Sequence, residues 1–105
     1  MSAASGPATN DLFVALAHPT RRRILRHMLE IDGAISPREL AGDLSLRLSG
    51  LSYHVKVLAS CGAAELVGTK QLSGSTQHFY RAKVEDEWVR MALDADTEHP
   101  DERGP

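Results

Sequence analysis

Apolar positions recur at helical spacing through the first sixty residues, give way to a β-rich stretch, and return to helical spacing near the end. Leu12, Phe13 and Leu16 predict a first helix from about Asn10, with Asn10 as its cap and Asp11 at the positive end of its dipole. Pro19 ends it, because proline disfavours helical geometry in the residue before it. Pro19 also suits the first position of a second helix, whose stripe is Ile24, Leu25, Met28 and Leu29. Asp32-Gly33 closes that helix, with Gly33 expected in the left-handed cap conformation. Ile35 suits a short strand position. Ser36-Pro37-Arg38-Glu39 is a capping box with proline at the first helical position, and Leu40, Ala41 and Leu44 give the short helix after it an inward face. Ser45-Leu46-Arg47 is a turn, a helix follows over 48–60, and Gly62 suits its C-terminal cap. Residues 66–70 and 77–81 read as strands around a flexible tip at 71–76. Val84, Trp88, Met91 and Ala95 then predict a terminal helix from Val84 to about Ala95. The expected architecture is mainly α with a small β-hairpin, ordered α-α-α-α-β-β-α.

The helix over 48–60 carries the functional reading. At about 100° per residue, Leu48, Leu51, Val55 and Leu58 fall within one third of its circumference. Ser49, Tyr53, Lys56 and Ser60 occupy the opposite side, with Gly50 and Ser52 at its edges. One face is core; the other is small, polar and hydrogen-bonding, as a helix entering a DNA major groove requires. A short helix, a tight turn and this second helix make a helix-turn-helix pattern.

Charge alters the picture once its distribution is considered. The formal net charge is −2, but residues 1–83 hold ten Lys/Arg against six Asp/Glu, and residues 84–105 hold two against eight. The body is therefore mildly basic and the end acidic. Residues 1–9 read as a disordered arm, 10–95 as one domain, and 96–105 as a disordered acidic tail. Aromatic residues make up 5 % of the chain, so Leu, Ile, Val and Ala must build most of the core. The first residues lack the pattern of a signal peptide, and no apolar run reaches membrane-spanning length, so a cytoplasmic protein with no membrane partner is expected.

Other chemistry is sparse. Cys61 is the single cysteine, expected as a small buried hydrophobe at a helix end that disfavours a thiolate. Asp94, Asp96, Glu98 and His99 crowd the tail without ligand spacing, so neither a metal site nor a cofactor is expected. No catalytic constellation appears, and the chain does not read as an enzyme. Arg21, Arg22, Arg23 and Arg26 crowd the start of the second helix, where the dipole suits cations least; they form either a solvated face or phosphate contacts. His54 faces DNA or packs within the domain, and exposed Tyr53 reads as a DNA contact.

Residues 12–82 resemble a bacterial winged helix-turn-helix regulator of the ArsR type. Leu16-Ala-His-Pro-Thr-Arg-Arg-Arg-Ile-Leu25 is similar to that family's opening helix junction. Leu51-Ser-Tyr-His-Val-Lys-Val-Leu58 is similar to its recognition helix, and Gly62, Leu66-Val67 and Phe79-Tyr80-Arg81 to its wing. The resemblance implies a homodimer paired through its terminal helices, reading a palindromic operator on double-stranded DNA, more a repressor than an activator. It implies DNA contacts from Arg47, Ser49, Gly50, Ser52, Tyr53, His54, Lys56, Lys70, Ser73, Gly74 and Gln77. Leu12, Phe13, Leu16, Val84, Trp88 and Met91 would form the dimer interface, and an unnamed small molecule could act as effector. His18, Gly50 and Arg47 stand where relatives usually have Asp, Thr and a capping Ser. Lys70 is the wing tip's only cation, which fits a different class of function, a winged-helix protein-interaction module.

Overall fold

A computed structural model describes residues 9–85 and 87–97, in the order α1 Thr9–Leu16, α2 Pro19–Ile31, α3 Pro37–Leu44, α4 Leu48–Ser60, β1 Ala64–Leu72, β2 Ser75–Ala82 and α5 Glu87–Thr97. The expected architecture stands. The core forms where α2, α3 and α4 meet over Ile24, Leu25, Met28, Leu40, Leu51 and Leu58, all at most 1 % exposed. The foot of the hairpin and α5 close it with Tyr80, Val89 and Leu93.

The local stop and start signals act as their chemistry dictates. Ser36 Oγ accepts from the Glu39 N–H at 3.2 Å, and Glu39 Oε1 accepts from the Ser36 N–H at 3.1 Å, closing the capping box. His18 caps α2, its Nδ1 accepting from the Thr20 N–H at 3.1 Å. After α4, Gly62 takes φ +85°, and the N–H groups of Gly62 and Ala63 return to the carbonyls of Ala59 and Leu58. This is a Schellman closure.

Several boundaries differ from the sequence reading. Asn10 lies inside α1 rather than capping it, since the helix already includes Thr9. Asp32, not Gly33, takes the left-handed conformation (φ 57°) at the end of α2, and Ser45 does the same after α3 (φ 58°). Short polar side chains tolerate that region at a modest cost. Thr97 extends α5 beyond the expected boundary, and the rest of the expected arm and tail lies outside the described residues. The expected stripe Val84, Trp88, Met91 and Ala95 is not the buried face of α5. The helix begins only at Glu87, and Val89 and Leu93, one turn apart, point inward instead, while Met91 is 61 % exposed.

Strands β1 and β2 pair antiparallel from Ala64↔Ala82 to Leu72↔Ser75, with an extra residue, Val67, bulged between Leu66 and Gly68. They are longer than expected, and the tip shrinks to Ser73-Gly74, with Gly74 at φ +84° where a side chain would be strained. Only Ala64 is buried along β1, so the hairpin projects into solvent as a wing. Ile35 bridges to Tyr80 through two backbone hydrogen bonds of 2.9 Å, anchoring the foot of the wing to the segment before α3. Among the described residues no helix is long and apolar enough to cross a membrane.

Candidate nucleic-acid interface

Helix α4 presents two faces of different chemistry. Leu51, Val55 and Leu58 are fully buried, whereas Ser49, Gly50, Tyr53 and Lys56 are exposed, Tyr53 to 62 %. Leu48 departs from its expected place, being 40 % exposed in the first turn. Ser60 sits on the outer face, but its hydroxyl donates back to the Val57 carbonyl at 3.0 Å. Arg47 at the N-cap makes no side-chain capping bond. The first turn of α4 is thus without a side-chain cap at the positive end of its dipole, a kind of terminus that can accept a phosphate oxygen.

Beside α4 runs a groove of about 330 Å³, walled by the first turn of α3 and by β2. Ser52 and Lys56 line it from α4, Pro37 and Arg38 from α3, and Ser75, Thr76, Gln77 and His78 from β2, with Leu48, Leu72 and Tyr80 also in the lining. Arg38, Lys56 and His78 bring positive or protonatable groups to one channel with several hydroxyls around it. Arg38 and His78 are absent from the sequence-derived set. The capping box gave a signal for Arg38, since the residue after an N1 proline points out from the first turn; nothing local distinguishes His78.

The structure brings Ser52, Lys56 and Gln77 together across this groove and leaves Arg47, Ser49, Gly50 and Tyr53 on the open face of α4. Lys70, Ser73 and Gly74 lie further out, exposed on the wing. Two residues are engaged within the protomer instead. Gln77 Nε2 donates to Ser36 Oγ at 3.0 Å, tying the wing to the cap of α3. His54 Nδ1 lies 3.2 Å from Arg21 Nη1, and the His54 ring packs against those of His18 (4.5 Å between centroids) and Tyr53 (5.5 Å). Burial, then the neighbouring His18 and Arg21, hold His54 below the ordinary histidine pKa.

Three of the arginines of α2 find hydrogen-bond partners within the protomer, while Arg23 also remains exposed. Arg21 is 9 % exposed and donates to the carbonyls of Ala15 (2.9 Å) and Val14 (3.1 Å). Arg22 donates to Leu16 O at 2.8 Å, and Arg23 to Leu44 O at 2.9 Å. These are last-turn carbonyls of α1 and α3, which have no partner within their own helices. The cations stand at the unfavourable end of their own helix because they serve the favourable ends of two others.

The expected interface residues separate. Leu12 and Leu16 are 6 % and 7 % exposed and belong to the core, so they are not available to a partner. Phe13 (57 %), Val14 (51 %) and Met91 (61 %) are exposed, and the Phe13 ring packs on half-buried Trp88 at 4.9 Å between centroids. Val14 escaped the sequence reading because it lies one residue off the helical stripe. Val84 is half-buried before α5. Cys61 is buried, and among the described residues no three His, Cys, Asp or Glu side chains group so as to hold a metal.

A helix-turn-helix domain family model matches residues 16–67, from the end of α1 into β1. The HTH-type transcriptional regulator CmtR of Mycobacterium tuberculosis is 37 % identical over 89 residues, covering 82 % of this chain and 72 % of CmtR. The same figures hold for CmtR of Mycobacterium bovis. Among solved structures, an ArsR family transcriptional regulator superposes with TM-score 0.56 at 25 % identity, covering 89 % of both chains. The antimony-specific transcriptional repressor AntR shares the fold, with TM-score 0.60 at 22 % identity over 88 % of this chain and 76 % of its own. A relative as similar as CmtR over this much of both chains carries its family with it: the protein belongs to the ArsR family of transcriptional regulators, with a winged helix-turn-helix DNA-binding domain.

Proposed function

We propose that the protein is a homodimeric repressor that reads a palindromic operator with α4 and holds the flanking backbone with the wing. The observation that carries this reading is the exposed Ser49, Gly50, Tyr53 and Lys56 face of α4, bordered by a groove that gathers Arg38, Lys56 and His78. Ser49, Ser52 and Tyr53 would meet base edges, and Lys56, Arg47 and the uncapped first turn of α4 would meet phosphate. Lys70, Ser73 and Gly74 would bring the wing to the adjacent backbone or minor groove. His54, engaged with Arg21 within the protomer, would hold α4 from behind this surface, and Gln77, tied to Ser36, would stand in the wall of the groove.

Dimerisation is supported by the apolar side chains that α1 and α5 leave exposed, Phe13, Val14 and Met91, with the Phe13 ring packed on Trp88. A two-fold axis beside those helices would set two recognition helices in successive major grooves, about 34 Å apart. Repression would follow from occupancy, the dimer blocking a promoter until an effector lowers its affinity. AntR, of the same fold, is a repressor by name. The test is selection of binding sites from random duplex DNA, followed by affinity measurements across a salt series. A palindromic consensus and a steep linear loss of log affinity with log salt are expected. Weak binding indifferent to sequence would overturn the reading in favour of a protein-interaction module.

A further inference from the structure

We propose that Arg21 is a positioning residue for the recognition helix, holding it through an unprotonated His54, so that operator binding weakens when His54 takes up a proton. The inference rests on the reading of α4 as the DNA-reading element.

Arg21 joins three elements through one side chain. Its Nε and Nη2 donate to the Ala15 and Val14 carbonyls at the end of α1, and its Nη1 reaches His54 Nδ1 on α4 at 3.2 Å. A guanidinium offers donors only and does not lose its proton. The Nδ1 of His54 must therefore be the acceptor, which requires the neutral ring with its proton on Nε2. His18 is under the same constraint. Its Nδ1 accepts from the Thr20 N–H at 3.1 Å while its ring lies against that of His54. Both neighbouring rings thus use Nδ1 as an acceptor.

The titratable and charged groups that face His54 are His18 from the α1–α2 junction, Arg21 from α2 and Tyr53 beside it on α4. His18 and Arg21 bear or acquire charge of the same sign as a protonated His54. Protonation would remove the lone pair that Arg21 uses and set an added cation against the guanidinium. The link between the end of α1 and the middle of α4 would then open next to Tyr53, whose ring meets His54 edge-on. A histidine that merely faced a phosphate would act in the opposite sense, since its proton would add an attraction to DNA.

Histidine ring ¹⁵N spectra and operator binding at constant ionic strength, at about pH 7.5 and about pH 5.5, test the proposal on the wild type, His54→Asn and Arg21→Lys. Asparagine keeps an acceptor near the Nδ1 position and does not titrate. The spectra should show His54 as the Nε2–H tautomer at the higher pH. The ratio of affinities at the two pH values should be roughly fivefold larger in the wild type than in His54→Asn, the equivalent of one net hydrogen bond. Arg21→Lys, which replaces the planar fork by a single ammonium, should flatten the profile in the same way; should it not fold, His54→Asn decides alone. An Nδ1–H tautomer, equal profiles for wild type and His54→Asn, or a difference of opposite sign would overturn the clamp. The Nε2–H tautomer with no preferred operator at the higher pH would overturn the DNA-binding reading, and this proposal with it.

Discussion

At the scale of single residues, Tyr53 and Lys56 are exposed polar side chains on the outer face of α4. Replacing both by Ala should leave the helical circular dichroism intact and lower operator affinity at least tenfold, since a base-contacting side chain is worth about 1–3 kcal/mol. Lys56→Ala alone should reduce the magnitude of the salt slope by about 0.9 per protomer, one phosphate contact. Operator binding that survives the double change would mean that another face meets DNA. His54 makes a separate prediction about stability. Its folded-state pKa lies below its unfolded value near 6.5, so its contribution is complete above that pH, where both states are neutral. As the pH falls below it, the unfolded chain takes up its proton before the folded chain does, and stability declines. Melting temperatures from about pH 8 to about pH 5 should therefore fall further for the wild type than for His54→Asn; equal declines would contradict the shift.

At the scale of elements, the ends of the helices show where stability and function part. Arg47 occupies the N-cap of α4 without capping it. Arg47→Ser should raise stability by about 0.5–1 kcal/mol, read in a urea unfolding curve, while lowering operator affinity. A gain in both would mean that the uncapped N-terminus has no phosphate to hold. Ser45, left-handed at the end of α3, invites the opposite kind of change. Ser45→Gly should stabilise by about 0.5–1 kcal/mol with little effect on DNA binding, because the strain is local to the turn. Much at this scale was legible in advance. Each cap and proline acts within four residues of the chain, and the leucines of α4 repeat at the period that sets its inner face. The wing was read too short because β-pairing is decided by the partner strand, and the bulge at Val67 has no marker in β1 alone.

At the scale of the whole molecule, the sequence joins a mildly basic body, residues 1–83, to an acidic end, residues 84–105. Phe13, Val14 and Met91 are exposed on the terminal helices, where Phe13 packs on Trp88. Met91→Glu, at a side chain already in solvent, should leave the protomer folded and shift sedimentation from dimer to monomer. Operator affinity should fall with it, because two linked half-sites become one. A dimer that persists with unchanged sedimentation would place the interface elsewhere.

Sequence alone determined the order of elements, the helix-turn-helix, the capping box at Ser36 and the division of α4 into a leucine face and a Tyr53–Lys56 face. All of these are set by neighbours within about a helical turn. Only the tertiary structure decided that Arg21, Arg22 and Arg23 close the ends of α1 and α3, and that Gln77 ties the wing to Ser36. It also decided that Leu12 and Leu16 face inward while Phe13 and Met91 stay outside, and that Val89 and Leu93 are the buried side of α5. Periodicity specifies that a stripe exists, but which flank is covered depends on where the helix begins and what packs against it. An arginine long enough to reach another helix leaves no local trace of the carbonyl it will find.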